Sequence, residues 1–267
     1  MTNDEFRELI WQKGRELYRE MPWRQDTRPY YVLVSELMLQ QTQVDRVVPK
    51  FNDFIAAFPD ERALAAASLA DILRRWQGLG YNRRAKFLHE AAKKVVHEWR
   101  GVWPDTVGEL CQLPGVGPNT AGAMMAYIYN HPVVFIETNI RSVYFHHFFQ
   151  HDENVTDAQL RLVVEATFDS EHPREFYWAL MDYGSWLKRQ GMGKIATSKS
   201  YKKQSPLEGS VRQIRGRIIA ALSKGDHRMI GQLANVVGHD ERFEPALAGL
   251  VRDGLVTQRG DRVHLTK

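Results

Sequence analysis

Residues 110–123 read Leu-Cys-Gln-Leu-Pro-Gly-Val-Gly-Pro-Asn-Thr-Ala-Gly-Ala, and this stretch decides the fold. Pro114 fixes one φ angle, while Gly115 and Gly117 permit positive φ and leave no side chain in the way. The first N–H groups of the next helix would be unpaired and carry partial positive charge, so a phosphate fits there. The pattern predicts a helix–hairpin–helix at about residues 106–129 that grips a nucleic-acid backbone. Such a turn can also be only a connector between helices.

Bulk composition limits the class of protein. The chain has 267 residues, of which 43% are hydrophobic and 25% are charged, as in globular proteins of one large or two modest domains. Its net charge of +4 is compatible with a polyanionic partner. One cysteine, Cys111, excludes an internal disulfide and a cluster held by several cysteines. No apolar run has membrane-spanning length, and the start lacks a hydrophobic signal core. We therefore expect a cytoplasmic protein.

Hydrophobic periodicity and turn residues divide the chain into three parts. Helical patterns with almost no strand signals fill residues 1–187 and predict an all-α domain. Residues 188–210 are rich in glycine, serine and lysine, which predicts a basic linker or surface loop. Residues 211–267 contain three helical patterns and a terminal hairpin, which describe a small winged-helix (α+β) domain. A structural cap would have the same shape, so contact with DNA stays open at this point.

Glu36 is a candidate catalytic residue because it lies inside an apolar helical stretch, residues 30–39. Shielding a carboxyl group from water favours its protonated form, and such a group can donate a proton near neutral pH. The alternative is a glutamate whose charge is satisfied by a nearby arginine or a helix N-terminus. The pattern alone leaves both interpretations open.

Glu137 follows the apolar segment 133–136 and begins the next helical pattern with Thr138 and Asn139. A carboxylate at such a position is commonly a helix cap. The hairpin favours a functional interpretation, because its second helix ends shortly before Glu137 and could place a phosphate beside this carboxylate. When a base leaves deoxyribose, positive charge develops on the sugar, and a carboxylate stabilises it. Together with a proton donor toward the base, it would make an N-glycosidic hydrolase for a flipped-out base.

Several segments together resemble the helix–hairpin–helix (HhH-GPD) DNA glycosylase superfamily, and within it the MutY family of adenine DNA glycosylases. Besides the hairpin, the segments that carry the resemblance are Val34–Val44, Gly78–Tyr81 and Met181–Gly184. The similarity covers about residues 5–187. It implies two α-helical lobes with the active site in the cleft between them, and double-stranded DNA with a mismatch or lesion as the partner. It also implies a monomer that is associated with the nucleoid.

The resemblance also implies roles for individual residues. Glu36 would protonate adenine at N7, Glu137 would be the sugar-side carboxylate, and Asn139 would orient water or that carboxylate. Gln41 and Tyr81 would fill the hole left by the flipped base and contact the opposite strand. A backbone phosphate would be held by residues around the hairpin turn. These are Leu113, Gly115, Gly117, Asn119 and Thr120.

The sequence departs from the family's pattern in four places. Glu137 replaces a catalytic aspartate, so its carboxylate is one methylene further from the backbone. Asn119 replaces the lysine of the bifunctional lyases, and without that amine no Schiff base forms, so we expect a monofunctional enzyme. The four-cysteine motif is absent and the basic stretch 188–204 stands in its place, so we expect no iron–sulfur cluster and no other metal. Residues 211–267 do not resemble the 8-oxoguanine-sensing domain of MutY.

Three functions remain open from the sequence. The first is a monofunctional glycosylase of base excision repair that hydrolyses the N-glycosidic bond of a purine, with adenine favoured. The second is a glycosylase for another base, such as thymine, uracil or hypoxanthine. The third is a DNA-binding module that kept the scaffold and lost catalysis. Glu36 favours an enzyme, because a shielded carboxylate near DNA would only repel phosphates, and it favours a purine, because protonation at N7 is possible only there.

Overall fold

The computed structural model describes residues 1–199, 201, 205–225, 227–238 and 240–267. The described residues form fifteen α-helices and three short β-strands, and the predicted predominance of helix is confirmed. The helices are α1 Asn3–Leu17, α2 Pro22–Gln25, α3 Pro29–Leu39, α4 Val44–Ala57, α5 Glu61–Ala66, α6 Leu69–Trp76, α7 Arg83–Lys93, α8 Val107–Leu110, α9 Pro118–Tyr129, α10 Thr138–His147, α11 Asp157–Thr167, α12 Pro173–Arg189, α13 Val211–Leu222, α14 Ile230–Val237 and α15 Phe243–Arg252. A π-helical turn at Lys94–Glu98 extends α7, and a 3₁₀ turn lies at Ile195–Thr197. None of the described helices combines the length and hydrophobicity needed to cross a bilayer.

The chain divides into two compact units that alternate along the sequence. The first unit comprises residues 1–32, 104–112 and 116–203, and the second comprises residues 33–103, 113–115 and 204–267. Helix α3 begins in the first unit and continues into the second. The predicted domain boundaries at residues 187 and 210 remain predictions. Of the predicted basic linker, Lys202 and Lys203 lie outside the described residues.

The first unit is built around α12, which packs against α1 and α10. Aromatic side chains fill the space between these helices, and Phe6, Tyr144 and Tyr177 are fully buried. Asp182 of α12 is also buried, and its carboxylate pairs with Arg19 and Arg24 at N–O distances of 2.7 Å each. Because a buried carboxylate is costly unless paired, this ion pair ties the segment after α1 to α12.

The second unit contains helices α4 to α7, whose starts are set by short polar side chains. Asp60 accepts a hydrogen bond from the backbone N–H of Ala63 at 2.7 Å and caps α5, and Ser68 caps α6. Such caps satisfy N–H groups that a helix leaves unpaired. The apolar face of α6 is buried, and its last residue, Trp76, has no exposed surface.

The C-terminal residues of the second unit form α13, α14, α15 and an antiparallel sheet. Its strands are β1 Arg228–Met229, β2 Val256–Arg259 and β3 Arg262–Leu265, in the order β1-β3-β2. The hairpin that the sequence predicted is present as β2 and β3. We call described residues 205–267 the C-terminal module. It contacts α7 of the same unit, where Lys86 Nζ donates to the carbonyl of Asp253 at 2.8 Å.

Candidate active site

The hairpin turn contains two glycines, and only the position of Gly115 requires a glycine. Gly115 has φ +81°, and a Cβ there would lie 3.0 Å from Cβ of Phe87 and 3.2 Å from Cδ2 of Leu37. Both the backbone conformation and the space therefore exclude a side chain. Gly117 is different: its φ is −96°, so it does not use the positive φ that glycine permits. A Cβ on Gly117 would meet nothing within 4 Å, which leaves the approach to its backbone open. Leu113 is buried and anchors the turn.

The start of α9 presents backbone rather than side-chain groups. Gly117 is the N-cap residue, no side chain caps the helix in the described structure, and Pro118 occupies the first position. The exposed Asn119 uses its Oδ1 to accept from the N–H of Ile136 at 3.3 Å, so it ties α9 to the segment before Glu137. Thr120 is half-buried. An anion here would meet the helix N-terminus and its partial positive charge.

Glu137 is half-buried and caps α10 with its carboxylate. Its Oε1 accepts from the backbone N–H of Asn139 at 2.5 Å and of Ile140 at 3.0 Å. Burial raises the pKa of the Glu137 carboxyl above its usual range, and the N–H donors and the charge of Lys188 act in the opposite direction. The cap interpretation is thus correct in geometry. It also fixes the orientation of a carboxylate that could act in chemistry.

Asn139 links Glu137 to a cation. Its Nδ2 donates to Oε2 of Glu137 at 3.3 Å, and its Oδ1 accepts from Nζ of Lys188 at 2.9 Å. We call Glu137, Asn139 and Lys188 the carboxylate–amide–lysine chain. It brings two predicted residues together with one that was not predicted. Lys188 is the first residue of the basic stretch, but nothing in the sequence pairs it with a residue 49 positions away.

Glycine at position 184 allows this arrangement. A Cβ on Gly184 of α12 would lie 2.1 Å from the backbone oxygen of Asn139, which is far inside van der Waals contact. Helix α12 can therefore approach α10 at the site only with glycine there. The sequence alone gave no signal for this contact beyond the presence of the glycine itself.

Glu36 is half-buried on α3, in a helix whose neighbouring residues are mostly buried. The C-terminal end of this helix is held by Arg84, whose side chain is almost fully buried. Its Nη1 donates to the carbonyl oxygens of Leu37 at 2.7 Å, Met38 at 2.8 Å and Gln40 at 2.6 Å. A guanidinium satisfies carbonyls that a helix end leaves without partners. The position of Glu36 thus depends on Arg84.

Arg84 also joins two turns that carry predicted DNA-binding residues. We call residues 40–43 the Gln41 turn and residues 77–82 the Tyr81 loop. From the loop, the carbonyls of Leu79 and Gly80 accept from Arg84 Nη2 at 3.0 and 3.1 Å. Burial lowers the pKa of Arg84 to about 10, so it stays charged at neutral pH. Sequence reasoning missed Arg84; its signal was its place in the apolar row of α7, four residues before Leu88.

Gln41 and Tyr81 both have a backbone conformation that is unusual for residues with side chains. Their φ angles are +57° and +46°, and Gln41 is exposed while Tyr81 is half-buried. Strain of this kind costs on the order of 1 kcal/mol or more and persists where the surroundings enforce it. The hydrogen bonds of Arg84 supply that constraint. The second unit therefore holds Gln41, Tyr81 and Gly115 around the end of the helix that carries Glu36, and Glu137 with Asn139 lies in the first unit.

An iron–sulfur cluster, which the resemblance brings into question, needs several thiolate ligands. The only cysteine of the chain, Cys111, lies at the C-cap of α8 and outside the basic stretch. In the described part of the chain, no three His, Cys, Asp or Glu side chains are grouped so that they could hold a metal ion. The residues present do not fit such a cluster.

Known proteins give the same assignment as the motifs. The family model described as "HhH-GPD superfamily base excision DNA repair protein" matches residues 34–167. The adenine DNA glycosylases of Mycobacterium tuberculosis and Mycolicibacterium smegmatis are each 32% identical to this chain over 91% of its length, covering 88% and 89% of those proteins.

A solved structure agrees at the level of fold. A thermostable thymine-DNA glycosylase superposes with a TM-score of 0.62 at 22% identity, covering 74% of this chain and 96% of that protein. At this identity the likeness concerns the fold alone, and it confirms the glycosylase fold that the motifs predicted. The relatives and the family model confirm the predicted resemblance. The chain therefore belongs to the HhH-GPD superfamily of base excision DNA repair proteins, among the DNA glycosylases of that superfamily.

Proposed function

We propose that this protein is a monofunctional DNA glycosylase that removes adenine from a mismatch or lesion in double-stranded DNA. The observation that carries the proposal is the carboxylate–amide–lysine chain, which fixes the Glu137 carboxylate beside a cation. The adenine specificity is supported by the relatives named adenine DNA glycosylase, two of which are 32% identical to this chain over 91% of its length.

Glu137 acts on the sugar. When the base leaves, positive charge develops at the anomeric carbon, and an ionised carboxylate lowers the energy of that transition state. The two N–H donors of α10 and Asn139 hold the carboxylate in one orientation, so no reorganisation is needed during the reaction. The additional methylene of Glu137, compared with an aspartate, is accommodated because the carboxylate folds back to cap its own helix.

Glu36 acts on the base. A proton delivered to N7 of a flipped adenine makes the base a better leaving group, and a half-buried carboxyl group in an apolar helix suits that task. Arg84 holds the end of α3 through three carbonyls and so keeps Glu36 in place. Water then attacks the anomeric carbon, oriented by Asn139 or by the Glu137 carboxylate, and the proton that it loses passes to one of the two carboxylates, Glu36 or Glu137.

The DNA is held without sequence readout. The N-terminus of α9 binds a backbone phosphate through N–H groups near Gly117, with Leu113, Gly115, Asn119 and Thr120 shaping the turn. Gln41 and Tyr81 enter the duplex and occupy the space of the flipped nucleotide. Both residues have positive φ angles, and Arg84 holds the neighbouring carbonyls of Gln40 and Gly80.

The enzyme has neither a lyase step nor a metal cofactor in this proposal. Position 119 carries an amide, which cannot form a Schiff base, and its Oδ1 is engaged with the N–H of Ile136. Residues 188–204 take the place of a cluster loop, and their lysines add phosphate contacts.

The domain organisation belongs to the same proposal. Residues 1–187 form the catalytic domain, residues 188–210 the linker, and residues 211–267 a winged helix. Three helices and an antiparallel sheet with the order β1-β3-β2 support the winged-helix assignment. Arg259 and Arg262 lie at the turn of its hairpin, where a wing would meet DNA.

The first test is single-turnover base excision on a panel of duplexes. The panel holds adenine opposite 8-oxoguanine, guanine and cytosine, together with thymine, uracil and hypoxanthine lesions. Release of adenine, lost in both Glu36→Gln and Glu137→Gln, supports the proposal. Release of another base would change the substrate, and tight duplex binding without release of any base would favour the DNA-binding module. Efficient borohydride trapping of a protein–DNA adduct would refute the absence of a lyase step.

A further inference from the structure

We infer that Arg212 of the C-terminal module is a positioning residue for Tyr81, so that the module takes part in inserting the Tyr81 loop into DNA. The inference rests on the proposed role of Tyr81 in the duplex. It gives the C-terminal module a task at the target base pair that is separate from any contact between its hairpin and DNA.

The contact itself has two components. Nη1 of Arg212 donates to the hydroxyl of Tyr81 at 2.5 Å, and its Cζ lies 5.2 Å from the centroid of the tyrosine ring. Arg84 also contacts the ring, with its Cζ 5.5 Å from the same centroid. Cations at these distances are attracted to the face of an aromatic ring. The guanidinium of Arg84 therefore holds the backbone of the Tyr81 loop, and the guanidinium of Arg212 holds the hydroxyl of Tyr81.

Arg212 is itself held in place. Its Nη2 donates to the carbonyl of Ser205 at 3.1 Å, and it lies in the first turn of α13, which Ser210 caps through the N–H of Gln213. The guanidinium thus has one donor for the tyrosine and one for its own module. Because the Arg212 guanidinium is bonded both to its own module and to Tyr81, the position of the module determines the position of the tyrosine ring.

A second contact fixes the module near the Tyr81 loop. Lys86 of α7 donates to the carbonyl of Asp253, and the carboxylate of Asp253 pairs with Arg215 of α13. Gly254 has φ +69°, and a Cβ there would lie 2.8 Å from Nζ of Lys86, so the approach is close. Because α7 begins directly after the Tyr81 loop, the module is attached at both ends of this short region.

The consequence is preorganisation of the inserting side chain. Ordering a flexible side chain during binding costs about 0.5–1.5 kcal/mol, and a side chain already held in place avoids part of that cost. A free energy of this size corresponds to about a 2- to 10-fold change in a dissociation constant. Arg212 is therefore expected to affect how tightly the protein engages the target site, and to leave the bond-breaking step unchanged.

The experiment is a double-mutant cycle on Arg212 and Tyr81 in the full-length chain. Arg212→Met removes the donor, and Tyr81→Phe removes its acceptor while the ring remains. The probe is a duplex with 2-aminopurine next to a 2′-fluoro-2′-deoxyadenosine opposite guanine, because the fluorine destabilises the positive charge on the sugar and so prevents cleavage. Its fluorescence reports unstacking and gives the dissociation constant without base excision. Each single variant is expected to weaken binding by about 2- to 10-fold. The double variant is expected to bind as tightly as the weaker of the two single variants.

The controls separate positioning from stability. Arg217→Met alters the same helix but removes a contact to the carbonyl of Val237, within the module, so it should leave binding and fluorescence unchanged. The excision rate at saturating enzyme should be the same for Arg212→Met and the wild type, while the dissociation constant differs. Additive losses in the double variant, or wild-type binding by Arg212→Met, would overturn the inference. Failure of the proposed function is distinguishable, because it would appear as no excision by the wild type.

Discussion

At the scale of single residues, one carboxylate serves two purposes. Glu137 caps α10 and is also the group proposed to face the reacting sugar. A helix cap that accepts two N–H bonds favours the ionised form, while burial favours the protonated form, and burial is the larger effect on its pKa. The charge of Lys188 partly offsets that effect, so the fraction of ionised Glu137 at neutral pH depends on a residue that does not touch it in the described contacts.

Replacing Lys188 by methionine is expected to shift the pH dependence of base excision. Without the cation, the pKa of Glu137 rises further, so less of it is ionised at the acidic end of the pH range. The single-turnover rate should fall there by about 2- to 5-fold and recover as the pH is raised. The measurement is the pH–rate profile of the purified variant from pH 5.5 to 9.

Two variants serve as comparisons for that profile. Lys188→Arg keeps a cation and should restore the wild-type curve. Lys13→Met removes a lysine of α1 whose Nζ donates to Glu16 at 2.6 Å, outside the basic stretch and the site, and should have no effect. A uniform loss of rate at every pH in Lys188→Met would mean that the lysine acts by holding the structure and not through charge.

At the scale of elements, the candidate site depends on how closely α12 approaches α10. This proximity lets Lys188 reach Asn139, and it is possible because Gly184 presents no side chain. The two helices also share the buried aromatic core of the first unit, so a change in their separation affects both stability and the site.

Gly184→Ala is expected to cost about 2–3 kcal/mol of the free energy of unfolding, because a methyl group would overlap the backbone of Asn139. Urea denaturation measures this change. The matched control is Gly216→Ala in α13, where a Cβ would meet nothing within 4 Å. Alanine there should stabilise the helix by roughly 0.5–1 kcal/mol. Equal stabilities of Gly184→Ala and the wild type would contradict the close approach of the two helices.

Sequence reasoning succeeded where the signal is local. Periodicity predicted the predominance of helix, and the glycine pattern located the hairpin, because both depend on residues a few positions apart. It also placed Glu137 and Asn139 together, since they share one helix start. It could not find Arg84, because its partners at the end of α3 and in the Gln41 turn lie 42–47 positions away and only the Tyr81 loop is near it in sequence. Nor could it find Lys188, whose partner Asn139 lies 49 positions away. Nor could it tell that Gly115 uses the positive φ that both glycines permit while Gly117 does not.

At the scale of the whole molecule, the half-buried His147 makes stability depend on pH. His147 lies between α10 and α12, where its Nε2 is 2.9 Å from the hydroxyl of Tyr183. Burial, with a smaller contribution from His146, lowers the pKa of His147 to about 4. The folded state therefore binds fewer protons than the unfolded chain, in which histidine has a pKa of about 6.5. Stability contributed by neutral His147 is lost as the pH falls from about 6.5 toward 4.

His147→Gln should reduce this loss by on the order of 1 kcal/mol, after allowance for solvent screening of a half-buried group. The check is the free energy of unfolding in urea at pH 7.5 and pH 5.0 for the variant and the wild type. His151→Gln removes an exposed histidine and should leave the difference between the two pH values as it is in the wild type. If the free energy of unfolding of His147→Gln differed between the two pH values by as much as that of the wild type, His147 would be excluded as a source of acid sensitivity.

The alternation of the two units along the chain has a consequence for synthesis. The second unit uses residues 33–103 together with residues near the C-terminus, so a nascent chain cannot complete it until residues 205–267 have left the ribosome. Until then, the face of α7 around Lys86 lacks its partner and the tyrosine of the neighbouring loop lacks Arg212. Emerging chains thus pass through a period in which part of this unit is unprotected, when chaperones or proteases would have access to it.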